Sequence, residues 1–281
     1  GRDRGRKIAL DSSGNIYVVG YYQNTVDFGG GNVTSNGNFD AFILKLNSSG
    51  TFQWVKSYGG SAGNDLGRDV VVDSNDNVIM LGTFRGTVNF DSGDGGGIVN
   101  YTSNDYDVFL IELNSSGIWQ CVWNTENSGS ADARALAIDS NNVTYLTGTF
   151  SGTVKFGNNT VTAANSNDLF IHKINLCNAQ TQITYTSNID TTQKAKGISV
   201  DSSGNIYATG TFQNTVNFGG GNITSSGKDI YLLKLNSSLA FQWVKRFAVD
   251  NGEAGTALGT AVTVDEDGNV YSGGGIGDTI R

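Results

Sequence analysis

Charged residues are scarce in this chain, at 16% of 281 residues, against about a quarter in typical globular domains. The formal net charge is −8, and no cluster of Lys and Arg follows the first seven residues. Because nucleic acid binding needs a basic face, this class of partner is disfavoured. No apolar run reaches the roughly 18 residues of a membrane span, and no signal-peptide pattern opens the chain. A surface made soluble by Asn, Ser, Thr and Gly suits an extracellular or cell-surface protein.

The residues and motifs that carry catalysis are also sparse. The single histidine, His172, lies in a predicted strand where sister segments have aliphatic residues, which indicates a local substitution. One histidine and two distant cysteines have no recognisable metal-ligand spacing. No G-x-S-x-G elbow, P-loop or dinucleotide fingerprint is present. We therefore predict no catalytic residue, no resident cofactor and a non-enzymatic protein.

What the chain has instead is a long internal repeat. One phrase, written D-S-S-G-N-I-Y in its first copy, returns with its aspartate at intervals of 62, 66, 62 and 64 residues. The five anchors are Asp11, Asp73, Asp139, Asp201 and Asp265. Such a regular period indicates one structural unit copied in tandem. Each full copy has four apolar segments rich in Val, Ile, Tyr, Phe and Thr, which indicates strands and no helix.

The short connections within a copy predict the fold. D-S-S-G-N joins the first two strands and N-S-S-G the last two, so both are tight antiparallel hairpins. A repeated four-stranded meander is typical of a propeller blade. We predict an all-β protein, a single β-propeller over residues 1–281 with about 64 residues per blade. Four complete blades span about 7–66, 67–132, 133–194 and 195–258, and a partial fifth spans 259–281, so we expect further blades or domains in a longer parent chain.

Three segments carry a resemblance to a known family. D-S-S-G-N-I-Y-V-V-G-Y-Y-Q-N-T-V-D-F-G-G begins at Asp11, D-A-F-I-L-K-L-N-S-S-G begins at Asp40, and Q-W-V-K begins at Gln53. They resemble the bacterial SBBP-type β-propeller repeat, and the resemblance extends over essentially the whole chain. It implies a propeller, an exported location and a module of a larger protein. It implies no reaction, because the family has no catalytic signature.

Repeat positions also guide the interpretation of cysteine and phenylalanine. Cys121 takes the position of Trp54 and Trp243, so we expect a buried free thiol. A bridge to Cys177, which falls in a turn, is the alternative and needs Cα atoms within about 7 Å. Phenylalanine recurs in each insertion between the second and third strands, and we expect it to pack between blades. These residues are Phe28, Phe90, Phe156 and Phe218.

The insertion between the second and third strands is the expected binding side of each blade. It is predicted to form a small extra hairpin at the end opposite the two tight turns, where long and variable loops usually bind ligands. The candidates lie where the copies disagree, in the second and third insertions. They are Asp91, Asp94, Tyr101, Asp105, Asp107, Asn158 and Asn165.

Calcium is an alternative role for two of the tight turns. Asp265, Asp267 and Asn269 in one turn, and Asp73 and Asp76 in another, offer oxygens at spacings like those of a calcium loop. No bidentate Glu follows at the twelfth position, however, and sister turns have Ser in place of the middle ligands. We therefore favour a turn whose Asp side chain bonds its own amides.

The favoured function is a scaffold or adhesive binding surface for secreted or surface proteins or for glycans. One alternative is a carbohydrate-active enzyme, a glycosidase or lyase, that uses carboxylates of the insertions. Another is a structural subunit of an extracellular filament or surface layer.

Overall fold

The computed structural model describes residues 2–91, 100–127, 129–164, 167–178, 182–187, 193–248 and 256–277. The described residues form strands and turns, with no helix among them. The chain divides into two compact units. The first unit comprises Gly1–Ala133 and Leu176–Ala179, and the second unit comprises Arg134–Asn175 and Gln180–Arg281.

Two four-stranded antiparallel sheets build the first repeats, in the orders β1-β2-β5-β6 and β7-β8-β9-β10. The strands are β1 (Arg4–Leu10), β2 (Ile16–Tyr22), β3 (Thr25–Asp27), β4 (Asn32–Thr34), β5 (Asp40–Leu46), β6 (Phe52–Tyr58), β7 (Leu66–Val72), β8 (Val78–Asn89), β9 (Asn100–Leu113), β10 (Trp119–Asn124) and β11 (Glu126–Asn127). Each sheet is a meander, as the repeat predicts, and β3 and β4 form the extra hairpin of the first insertion.

The later repeats follow the same plan, with sheet orders β12-β13-β16-β17 and β18-β19-β20-β21. The strands are β12 (Ser130–Ile138), β13 (Thr144–Ser151), β14 (Thr153–Phe156), β15 (Asn159–Thr162), β16 (Asp168–Ile174), β17 (Gln182–Thr186), β18 (Lys194–Val200), β19 (Ile206–Asn217), β20 (Asn222–Leu235), β21 (Phe241–Phe247), β22 (Thr256–Val264) and β23 (Val270–Gly277). The fifth copy is the antiparallel hairpin β22–β23, which meets β20 through one parallel bridge, Lys228 to Thr256.

The turn after each anchor aspartate explains the recurring D-x-x-G pattern. Three positions after the aspartate, the backbone adopts φ between 60° and 81° in all five copies. Glycine reaches this left-handed region without steric cost, and Asn and Asp are the side chains that tolerate it best. The residues there are Gly14, Asp76, Asn142, Gly204 and Gly268. The sequence letters at this position therefore follow from backbone geometry.

An aromatic trio anchors each insertion to its own sheet. The insertion phenylalanine packs edge-on against an aromatic residue of the second strand, with ring centroids 5.3–6.1 Å apart. It also lies 4.7–4.8 Å from an aromatic ring of the third strand. The trios are Tyr22, Phe28 and Phe42; Phe84, Phe90 and Phe109; Phe150, Phe156 and Phe170; and Phe212, Phe218 and Tyr231. The insertion phenylalanines were expected to pack between blades. They do pack against aromatic rings, but the partners in these trios belong to the same repeat.

Candidate functional site

The insertion hairpins present one shared polar feature at the surface. In each, two threonines face each other across the antiparallel pair, and their hydroxyls lie 2.8–2.9 Å apart. The pairs are Thr25 and Thr34, Thr87 and Thr102, Thr153 and Thr162, and Thr215 and Thr224. Cross-strand threonine pairs stabilise a hairpin by mutual hydrogen bonding. The hairpins thus share an uncharged threonine pair on the outer face, with Asp27 and Lys155 two positions further along that face in the first and third hairpins.

The inner side of these hairpins is apolar and fixed. One position further along, Val88, Val154 and Val216 are buried, and Val26 of the first hairpin is half-buried. Because strand side chains alternate between faces, the threonine row points away from this packed side. The aromatic trios below complete the support. Each hairpin is therefore a rigid projection whose outer face is available for contact.

The predicted binding residues have different surroundings. Asp105 is exposed near the end of the second insertion, and Asn158 is exposed at the tip of the β14–β15 hairpin. Tyr101 is half-buried, with its ring 6.0 Å from Phe90. Asp91 is only 7% exposed, which does not suit a residue that contacts a partner. Asp94 and Asn165 lie outside the described residues.

Asp107 belongs to a set of buried aspartates that the sequence reasoning missed. The residue that pairs across the ladder with the second-strand aromatic residue of each trio is Asp in four repeats, and it is at most 4% exposed in each. The set is Asp40, Asp107, Asp168 and Asp229. Burial raises the pKa of Asp107 to about 6, and its Oδ1 accepts a hydrogen bond from the Thr125 hydroxyl at 2.9 Å. Asp107 is therefore a structural residue, and its recurrence in the sequence was the available signal.

The sister aspartates are bonded in their own ways. Asp40 accepts from the backbone N–H of Asn36 at 2.9 Å. Asp229 forms an ion pair with Arg246 at 2.5 Å. Each carboxylate binds a neighbouring segment of its own repeat, the loop before β5 for Asp40 and β21 for Asp229. The position therefore has a structural role.

The two turns considered for calcium use their carboxylates internally. Asp73 Oδ1 accepts from the N–H groups of Asn75 and Asn77 at 2.9 and 2.7 Å, and its Oδ2 accepts from the Asn77 side chain at 3.0 Å. Asp265 accepts in the same way from Asn269, at 2.7 and 2.9 Å. A cation would have to compete with these bonds.

The middle residues of those turns do not converge on the anchor carboxylates. Asp76 accepts from the N–H and hydroxyl of Ser12, at 2.9 and 2.7 Å, which ties the turn of the second repeat to that of the first. Asp267 is exposed in its turn. This geometry is that of hydrogen-bonded turns.

The cysteine expectation was wrong: Cys121 and Cys177 form a disulfide, with Cα atoms 5.6 Å apart. Both belong to the first unit. Glu112 lies beside them, with Oε2 3.3 Å from Cys177 Sγ. Burial, reinforced by the charge of Asp73, raises the pKa of Glu112 to about 7. A disulfide sulfur has no hydrogen to donate, so a hydrogen bond in this contact requires the protonated form of the carboxyl. One potential metal ligand atom from each of Glu112, Cys121 and Cys177 lies within 4.8 Å of the others. The two sulfurs could bind a metal ion only after the disulfide is reduced.

His172 is a core residue of the second unit. It is fully buried, its Nδ1 lies 2.9 Å from the Thr184 hydroxyl, and its ring is 5.4 Å from Phe156. Burial lowers its pKa to about 3. The imidazole is therefore neutral at physiological pH, which fits a packing role.

Comparisons with known proteins support the repeat assignment. The SBBP beta-propeller repeat profile matches residues 1–21. This match confirms the resemblance. An uncharacterized WD repeat-containing protein of Acanthamoeba polyphaga mimivirus is 27% identical over 230 residues, 69% of this chain. The chain spans only 16% of the length of that relative.

A solved structure from Bacteroides caccae, of a protein of unknown function, aligns over 93% of this chain and 86% of its own. Its sequence identity is 10% and its TM-score is 0.34, a likeness too weak to carry an argument. Within the described residues, there is no helix of the length and apolarity that crossing a membrane requires.

Proposed function

We propose that this chain is a non-enzymatic, exported module of the β-propeller type that binds a protein partner through its insertion hairpins. The observation that carries the proposal is the repeated hairpin, which has a threonine pair outside and a buried valine and phenylalanine inside. Rigid projections whose side chains are already hydrogen-bonded lose little conformational entropy on binding. The match to a beta-propeller repeat supports a module used for interaction.

The proposed location rests on the disulfide. Structural disulfides persist in oxidising compartments and are rare in the cytosol. The Cys121–Cys177 bond therefore supports export. The low content of charged residues fits the same address.

The test compares an insertion hairpin of the second sheet with a tight turn of the first sheet. The double variant Thr87→Lys, Thr102→Lys alters a hairpin surface, while Ser48→Lys, Ser49→Lys alters the exposed β5–β6 turn with the same added charge. Binding to immobilised secreted proteins and to a glycan array would be measured for both and for the wild type. We expect the hairpin variant to lose its partner and the turn variant to retain it.

The opposite pattern would contradict the proposed surface. Binding confined to the glycan array would change the partner class from protein to glycan. Turnover of a polysaccharide that Asp105→Asn abolishes would contradict the non-enzymatic assignment, because Asp105 is an exposed insertion carboxylate.

A further inference from the structure

In three of the four complete repeats, a lysine on the third strand lies over a tyrosine ring of the second strand. The Nζ atoms are 5.0–5.5 Å from the ring centroids. The pairs are Lys45 and Tyr17, Lys173 and Tyr145, and Lys234 and Tyr207. Two of these ammonium groups also donate, at 2.7 Å, to a carbonyl in a tight turn of the following repeat, that of Ser115 or Ser237. The repeat thus provides a place for a cation between its own sheet and the next turn.

The second repeat has an acid and two cysteines at this place. Glu112 takes the position of the lysine, and Cys121 lies directly opposite it on β10. The tight turn of the following repeat reads N-L-C-N at residues 175–178, instead of N-S-S-G, and supplies Cys177. Glu112 Oε2 is 3.3 Å from Cys177 Sγ and 4.0 Å from Cys121 Sγ. Three potential ligand atoms of the first unit therefore converge where the sister repeats hold an ammonium group.

Two thiolates and a carboxylate are a ligand set for zinc, which binds Cys sulfur and Glu oxygen and can keep a fourth position for water. The three ligand atoms lie within 4.8 Å of one another, near the roughly 3.8 Å that separates two sulfurs on a tetrahedral zinc ion. Glu112 and Cys121 are fixed by their ladder, and Cys177 is exposed in a turn that can adjust. A metal ion would also supply the positive charge that Lys45 places 3.6 Å from the anchor Asp11 in the first repeat.

The two sulfurs are bonded to each other in the structure, so the metal-bound form requires reduction. A phosphine reductant takes oxygen from water to become its oxide, and the two electrons and two protons convert the disulfide into two thiols. Zinc then displaces the thiol protons to the solvent. We propose that the reduced chain binds one zinc ion through Glu112, Cys121 and Cys177, in place of the disulfide. This site is separate from the insertion hairpins and does not rest on the proposed function.

The test titrates cobalt and then zinc into the full chain, kept reduced by a phosphine. Cobalt reports sulfur ligands by its thiolate charge-transfer absorption, and zinc, which favours tetrahedral sulfur sites, displaces it. We expect one cobalt per reduced chain and no such absorption in the oxidised chain. Glu112→Gln should bind zinc at least about tenfold more weakly, because it removes one charged ligand. Glu112→Lys, which restores the residue of the sister repeats, should not bind zinc.

The matched control is Glu266→Gln, the same change at an exposed position in the β22–β23 turn. It is expected to bind zinc like the wild type. No binding by the reduced wild type, equal affinities of Glu112→Gln and the wild type, or the same binding by the oxidised chain would overturn the proposal.

Stability gives an independent readout, and it also covers the case in which reduction unfolds the first unit. Zinc should raise the melting temperature of the reduced wild type by about 5–10 °C at a hundredfold excess over its dissociation constant, and should not raise that of Cys177→Ser. If the reduced wild type is unfolded at the outset, zinc is expected to restore its strand signal in circular dichroism. No restored signal, or an equal one in Glu112→Lys, would contradict the site.

Discussion

Three neighbouring positions of the repeat carry different side chains in the first and second copies, and the central one changes from a cation to an acid. On the third strand, Lys45 of the first repeat corresponds to Glu112 of the second. On the fourth strand, Trp54 corresponds to Cys121, and each faces the third-strand residue across the ladder. On the second strand, Tyr17 corresponds to Ile79. Three cross-strand neighbours therefore differ together.

The Lys45 version is held by electrostatics and hydrogen bonds. Lys45 is 7% exposed, and its Nζ donates to the carbonyl of Ser115 at 2.7 Å. It also lies 3.6 Å from the carboxylate of Asp11 and 5.0 Å from the ring of Tyr17. Burial alone would raise the pKa of Asp11, but hydrogen bonds from the Asn15 side chain and the turn amides hold it below its ordinary value. The buried ammonium is thus compensated on several sides.

The Glu112 version has lost that compensation and gained a covalent bond. Ile79 provides no hydroxyl and no aromatic face, and the nearby anchor Asp73 repels a carboxylate. Cys121 cannot donate as Trp54 does to the Ser115 carbonyl, at 3.3 Å, and is instead bonded to Cys177. The repeat can therefore stabilise this place in the fold by a buried charge network or by a disulfide. The cross-strand neighbours differ between the two copies in accordance with the interaction used.

The largest expected effect comes from removing the disulfide. The bond closes a segment of 56 residues, for which chain entropy predicts about 4 kcal/mol of stability. We expect the double variant Cys121→Ala, Cys177→Ser to lose that amount in urea unfolding. Reducing agent should lower the stability of the wild type by a similar amount and leave the double variant unchanged. A wild type that is indifferent to reducing agent would contradict a stabilising bond.

A smaller loss is expected when the charge network is opened. Lys45→Met retains the apolar stem but leaves the Asp11 carboxylate and the Ser115 carbonyl without their ammonium partner. We expect about 2 kcal/mol of destabilisation in urea unfolding. Lys245→Met, at an exposed site on β21, is the control and should change stability by less than about 0.5 kcal/mol. Equal effects of the two variants would show that the network contributes nothing.

Most of the strand order followed from the sequence, because the period and the D-x-x-G turns are local signals. Gly14 and its counterparts need a left-handed backbone, and the alternation of Val, Ile and Tyr needs one packed face. The two tight hairpins and the inserted hairpin of the first, second and fourth copies were all predicted. These features depend on neighbours along the chain, which a single sequence displays.

The site was less predictable because it depends on contacts between distant segments. Cys121 was expected as a free thiol, since nothing local to it shows that the turn at Cys177 lies within bonding distance. Asp107 was chosen as a surface residue because it was viewed within one insertion, although its recurrence at Asp40, Asp168 and Asp229 indicated a structural role.

The smallest effect is the pH dependence that Glu112 gives to stability. The pKa of Glu112 rises from 4.5 to about 7 on folding, because burial and the charge of Asp73 disfavour the carboxylate. The folded state therefore binds the proton more tightly than the unfolded state. Its contribution to stability is complete below pH 4.5 and is lost as the pH rises to about 7. Because Glu112 is part-buried and water screens it, we expect a loss of about 1 kcal/mol.

Glu112→Gln isolates this contribution from others of the same sign. Burial also raises the pKa of Asp65 to about 7 and that of Asp107 to about 6, and both carboxyls remain in the variant. The measured quantity is therefore the difference in unfolding free energy between wild type and variant, at pH 5 and at pH 8. We expect the variant to gain about 1 kcal/mol relative to the wild type between these two values. A constant difference would show that Glu112 titrates alike in both states, and the contrast with Lys45 would then lie in the disulfide alone.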